Sequence, residues 1–220
     1  MNTNKPIIKT LATLALLALA TIPVTVSAVI AGSKHDFSGK GWRPAADLTN
    51  TETCMYCHTP HAATAPASGV GPLWNRAAST TATFTLYTNT NGTLNATPGQ
   101  PGPTSKTCMS CHDGTVAMDS YGTRVGSVLA TGALLIGPSL ANDHPIAFTY
   151  NAALATLDGE LTTPASATSV TAALPLFAVG ATVSQMECST CHDAHGGIAG
   201  TKLLRLSNAA SALCRACHVK

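Results

Sequence analysis

Apolar positions along this chain imply an element at only three places. The first is a nearly unbroken apolar run from Leu11 to Ala20, continuing through Ile22, with Lys5 and Lys9 before it and Val26-Ser27-Ala28 after it. A basic start, an apolar middle and small residues ahead of a cut are the parts of an export signal, so residues 1–28 are expected to be removed after Ala28. Pro23 interrupts the run, and no later stretch nears the roughly 18 consecutive apolar residues of a membrane span. The second place is Thr83-Phe84-Thr85-Leu86-Tyr87, which alternates with period two and is followed by Asn91-Gly92, so a short exposed hairpin is expected. The third is near the end, where Ser207 or Asn208 is placed to cap a helix running through Ala209, Ala212 and Leu213 into Cys214.

Between these places the chain is rich in Thr, Ala, Ser, Asn, Pro and Gly without a sustained period. Gly99-Gln-Pro-Gly-Pro103 is a turn cluster, and residues 152–185 form a weakly patterned excursion containing Pro164 and Pro175. The mature chain, 29–220, is therefore expected to be one domain, mostly irregular, with short helices and one or two short β-hairpins.

Composition sharpens the problem of its core. Of 220 residues 45% are hydrophobic, but more than a third of that set is alanine and only 5% of the chain is aromatic. Ordering the chain costs conformational entropy that so little large apolar surface does not offset, so something besides side chains should fill the interior. The 10% charged fraction excludes disorder by charge. With 12 Lys+Arg against 10 Asp+Glu and no basic run, nucleic acid is not an expected partner.

The cysteines supply the answer. They read Cys54-Met-Tyr-Cys57-His58, Cys108-Met-Ser-Cys111-His112, Cys188-Ser-Thr-Cys191-His192 and Cys214-Arg-Ala-Cys217-His218, and all eight are used. Cys-x-x-Cys-His is the attachment motif of c-type haem. Positions i, i+3 and i+4 share a helical face, so two thiols form thioethers to one porphyrin while the histidine reaches its iron. Neither disulfides nor zinc would require the trailing histidine every time. Four covalent haem c groups are expected, and they form the core. Leu203, Leu204 and Leu206 are placed to pack on porphyrin.

Beyond His58, His112, His192 and His218, four histidines remain: His35, His61, His144 and His195. Four irons need four second ligands, so bis-histidine ligation is expected throughout, leaving no open position for a substrate. Met55 and Met109 sit inside their own motifs, which leaves Met118 and Met186 as the competing axial ligands. His61 and His195 each follow a proximal histidine by three residues, too close to swing round their own haem, and are expected to bind a neighbouring one. His35 and His144 then serve two of the other irons, by default the first and second. Asp113, Asp143 and Asp193 stand beside ligands as turn residues or as tuners. Arg43, Arg76, Arg124, Lys202, Arg205 and Arg215 are candidates to meet haem propionates, and Trp74 is expected to pack against a haem.

With these residues in hand, the chain resembles the tetrahaem c-type cytochromes of metal-respiring bacteria, some of which polymerise into extracellular nanowires. The resemblance rests on Lys34-His-Asp-Phe37, Cys54-Met-Tyr-Cys-His-Thr-Pro-His61, Pro72-Leu-Trp-Asn75, Cys108-Met-Ser-Cys-His-Asp-Gly114, Asp119-Ser-Tyr-Gly122, Asn142-Asp-His-Pro-Ile146, Cys188-Ser-Thr-Cys-His-Asp-Ala-His195 and Leu213-Cys-Arg-Ala-Cys-His218. It implies bis-histidine haems stacked in a continuous chain and, in filament-forming relatives, a distal ligand donated by the adjacent subunit. Here His35, close to the new N-terminus, is the expected donor to another chain. The expected function is electron transfer without enzymatic bond chemistry, as a secreted or surface filament subunit exchanging electrons with redox proteins and extracellular acceptors. The alternative is a monomeric periplasmic or surface shuttle. A multihaem reductase would need an iron lacking its sixth ligand.

Overall fold

The computed structural model describes residues 30–43, 51–61, 63, 73–90, 92–164, 174–179, 182–198 and 201–219. The expected signal, Pro72 and Asn91 lie outside the described residues. Regular structure is sparse. Among the described residues the longest helix, α1, spans Pro103–His112. Pro103 opens it at a position where a missing N–H costs nothing, so the Gly99–Pro103 turn cluster serves as a helix start. Helix α2, Ala152–Asp158, begins where the Asn151 side chain accepts from Leu154 N–H and ends at Gly159 in the left-handed region, φ 75°. Two one-turn helices follow, α3 at Cys188–Cys191 and α4 at Ala212–Arg215.

Three short strands make one antiparallel sheet in the order β1-β3-β2: β1 is Phe148–Thr149, β2 Phe177–Val179 and β3 Thr182–Met186. Phe148 pairs with Met186 across β1 and β3, and β2 joins β3 as a hairpin with an irregularity between Phe177 and Ala178. The side-chain core is correspondingly small. One cluster is Phe148, Tyr150, Leu154 and Met186, and a second is Phe84, Met109 and Leu140. None of the helices among the described residues is long and apolar enough to cross a membrane.

Among the described residues the expected hairpin at 83–92 does not form. Gln100 occupies the ladder position instead: its side chain accepts from Phe84 N–H at 2.8 Å and donates to Phe84 O at 3.0 Å. Thr85 makes one parallel bridge to Ser139. The turn is closed by Asn89, whose side-chain amide donates to Leu94 O and whose side-chain oxygen accepts from Leu94 N–H. The C-terminal helix starts where expected but in two pieces, a 3-10 turn at Ala209–Ser211 and then α4, because Ala210 and Ser211 take positive φ of 50° and 59°.

Candidate haem sites

Each Cys-x-x-Cys-His run folds as a single helical turn. In the first, third and fourth the histidine N–H donates to the carbonyl of the first cysteine, at 2.9, 3.1 and 2.9 Å. The second is the last turn of α1. Both cysteines and the histidine thereby lie on one face, as the spacing requires. A neighbouring strand-like segment then closes three of the motifs. Thr59 N–H donates to Leu73 O and Asn75 N–H to Cys57 O, both at 2.8 Å. Asp193 N–H donates to Leu203 O at 2.7 Å and Arg205 N–H to Cys191 O at 2.9 Å. Thr162 N–H donates to Cys217 O and Val219 N–H to Glu160 O, both at 2.8 Å.

Backbone carbonyls orient two of the motif imidazoles. His112 Nδ1 lies 2.7 Å from Leu134 O, and His192 Nδ1 lies 2.8 Å from Lys202 O. A ring that donates from Nδ1 to a carbonyl keeps its Nε2 unprotonated, which is the tautomer that ligates a metal.

The eight thiols are unbridged. Burial is the main reason that Cys57 and Cys191 are pushed up to about 11 and Cys108 to about 12, the reverse of a thiolate zinc site. Among the described residues no group of three or more His, Cys, Asp or Glu could hold a metal ion by itself. Cys57 interacts electrostatically with Cys111, Cys108 with Cys188, and Cys191 with Cys217. The four motifs are therefore spatial neighbours in sequence order.

Residues 181–220 match the family described as doubled CXXCH motif. The match takes in the third and fourth motifs. This segment binds c-type haem covalently. It has the chemistry of electron transfer. No curated protein matches the chain.

Three observations test whether the residues fit haem. The first is imidazole pairing: His58 and His195 have ring centroids 5.9 Å apart, His35 and His112 6.2 Å, and His144 and His218 6.4 Å. Two imidazoles bound on opposite sides of one metal, each at about 2 Å, have centroids roughly 6 Å apart. The second is apolar surface beside His112, where Leu134, Leu135 and Ile136 are 49%, 45% and 42% exposed and make a face suited to a flat apolar ring. The third is a pair of buried donors without acceptors, Trp74 Nε1 and Arg76 Nε, suited to a haem carboxylate. The residues fit the group.

Burial lowers the pKa of His35 to about 4, with smaller contributions from His112, His192 and His195, and burial also lowers that of His144. Both stay neutral at ordinary pH, as a ligating imidazole must.

The default placement of His144 on the first or second motif does not hold. His144 lies beside the fourth motif's His218, because the 142–146 segment leads into β1 and α2, whose cluster packs on Cys217 and whose continuation at residues 160–162 closes the fourth motif. His195 lies beside the first motif, as expected for a histidine too close to its own. His35 lies beside His112 of its own chain. Among the described residues no ring contact joins His61 or His192 to another imidazole.

Two of the three aspartates brace turns. Asp113 accepts from Thr81 Oγ1, Ser79 Oγ and Thr115. Asp193 accepts from His195 N–H and pairs with Arg205 at 2.9 Å. Trp74 meets His58 edge-on at 6.1 Å.

Reading the sequence misses Glu187. It is 2% exposed, takes a hydrogen bond from Ser105 Oγ, accepts from Gly102 N–H at 3.3 Å, and forms a capping box with Thr190. One carboxylate thus caps both α1 and α3, the helices carrying the second and third motifs. Any side chain at Gly102 would run into it. The available signal was the acid placed three residues before Thr190 at the start of the motif.

Proposed function

We propose that this chain conducts electrons through four covalently bound haems c, each iron held between two imidazoles, as a subunit of an extracellular filament. The observation that carries the reading is the set of three imidazole pairs at 5.9–6.4 Å, each joining a motif histidine to one outside the motifs. Bound haem supplies one-electron ferric/ferrous chemistry. The chain's residues do the rest. Carbonyls of Leu134 and Lys202 hold the Nδ1 protons of His112 and His192, closures at residues 73–75, 160–162 and 203–205 fix three of the turns, and His35, His144 and His195 would supply the second imidazole to the irons of His112, His218 and His58. An iron with two imidazoles has no site for a substrate, so no bond chemistry is assigned.

His61 and His192 complete the count. With no imidazole of its own chain beside it among the described residues, His61 is the ligand we assign to His192's iron in an adjoining copy. Trans ligation thereby moves from His35 to His61. Polymerisation then repeats the contact, and electrons pass between copies as within one.

The test is His61→Ala against His35→Ala, each examined by electron microscopy of secreted material and by carbon monoxide binding. His61→Ala should abolish filaments, whereas His35→Ala should retain them and open one iron per chain. Intact filaments from His61→Ala would overturn the assignment, and a secreted wild type that elutes only as a monomer would favour the shuttle.

A further inference from the structure

Arg76 is 2% exposed, among the largest fully buried side chains of the described structure. Its Nη1 donates to Tyr56 O and Met118 O at 3.1 Å each, and its Nη2 donates to Ala117 O at 2.6 Å and to Cys111 Sγ at 3.2 Å. Every one of these acceptors is uncharged, and Nε has none. The ion pairs among the described residues involve Asp119 and Asp193, and neither holds Arg76. A buried cation without an anion is costly, so its position against a haem-anchoring sulfur calls for a role.

Resting on the haem reading above, we propose that Arg76 sets the reduction potential of the haem on Cys108 and Cys111, raising it by holding a buried positive charge against the Cys111 sulfur. Reduction adds one electron to the iron, ferric to ferrous, and lowers the charge of the site by one. A fixed cation nearby favours that product, and low surrounding polarizability enlarges the effect. A haem carboxylate reaching Nε would offset part of the charge, but it would be present in both redox states. Replacing Arg76 by a neutral side chain therefore moves the potential in the same direction either way. Arg76 also acts on Cys57, whose thiol it draws down against burial, so the first haem should feel a smaller effect.

The experiment is a mediated spectroelectrochemical titration of purified holoprotein, with haem per chain counted first by pyridine haemochrome. Arg76→Gln should shift one of four components to lower potential, a second by less, and leave two in place. Arg76→Lys should fall between it and the wild type. Superimposed curves for Arg76→Gln and wild type at four haems per chain would overturn the proposal. A wild type without covalent haem would fail at the count and sink the underlying reading with it.

If Arg76→Gln does not load haem, the wild type decides by NMR of the partly reduced protein. Glu187 acts on both Cys108 and Cys188, and each of these motifs has an arginine, but Arg205 near Cys191 is paired with Asp193 at 2.9 Å, whereas Arg76 against the Cys111 sulfur has no carboxylate partner among the described residues. The haem on Cys108 and Cys111 should accept electrons before that on Cys188 and Cys191, and the reverse order would overturn the proposal.

Discussion

The first motif and the third are closed by one backbone device yet send their following histidines to different places. In both, the residue after the histidine donates to a leucine held at positive φ, Leu73 at 58° and Leu203 at 57°, and the residue two beyond that leucine donates back to the second cysteine. In the third, Asp193 accepts from His195 N–H, pairs with Arg205 and turns the loop so that His195 meets His58. In the first, Thr59 stands where Asp193 does and its hydroxyl donates to His61 O, and His61 meets no imidazole among the described residues. The same turn thus leads either to a histidine that meets another motif's imidazole or to one that meets none among the described residues, and the two loops differ in having Asp193 where the first has Thr59.

The largest break in that comparison is His195→Ala. It removes the imidazole facing His58 and should raise carbon monoxide binding in dilute monomer from one site per chain to two. His61→Ala should leave the dilute monomer's spectrum unchanged. Equal effects of the two substitutions would erase the difference between the loops.

Asp193→Ala comes next. It removes a half-buried ion pair and a backbone acceptor together, at a cost of about 1–2 kcal/mol, read as a lowered denaturation midpoint. Thr59→Ala should cost well under half as much.

Glu187 gives the start of the third motif a pH dependence that Glu187→Gln should remove. Burial raises the Glu187 carboxyl above its ordinary value, although Ser105 and Gly102 bonds oppose this. The folded state therefore holds the proton more tightly than the unfolded chain does. The resulting contribution to stability is fully present below the unfolded pKa and is lost as pH rises through the higher folded one. Chemical denaturation from pH 4 to 8 should show that decline in wild type and a flatter profile in Glu187→Gln.

The smallest expected effect is at the leucines. Leu73 is 50% exposed, so Leu73→Gly relieves left-handed strain at little packing cost and should stabilise by about 0.5 kcal/mol. The better covered Leu203 should gain nothing from the same change.

The attachment chemistry was legible in the residues themselves because it is local: Cys54 to His58 span one turn, and nothing distant alters which atoms share its face. So was the scarcity of regular elements, since a chain short of large apolar side chains cannot support long ones. The helix into Cys214 was legible in place but not in continuity, because the positive φ at Ala210 and Ser211 depends on how the segment packs. The hairpin at 83–92 failed for a similar reason, as Gln100 competes for the backbone groups that alternation alone assigns to a partner strand.

Which histidine meets which was out of reach, although the short spacing already set His195 apart from its own motif's histidine. His144 faces His218 and His195 faces His58 through closures between segments far apart in the chain, and a count of eight histidines is satisfied by many pairings. Arg76 illustrates the same divide: its charge is written in the sequence, while its isolation among neutral acceptors exists only after Tyr56, Cys111 and Ala117 are brought around it. Short-range bond geometry was decided by the order of residues, and the meeting of distant side chains by the folded whole.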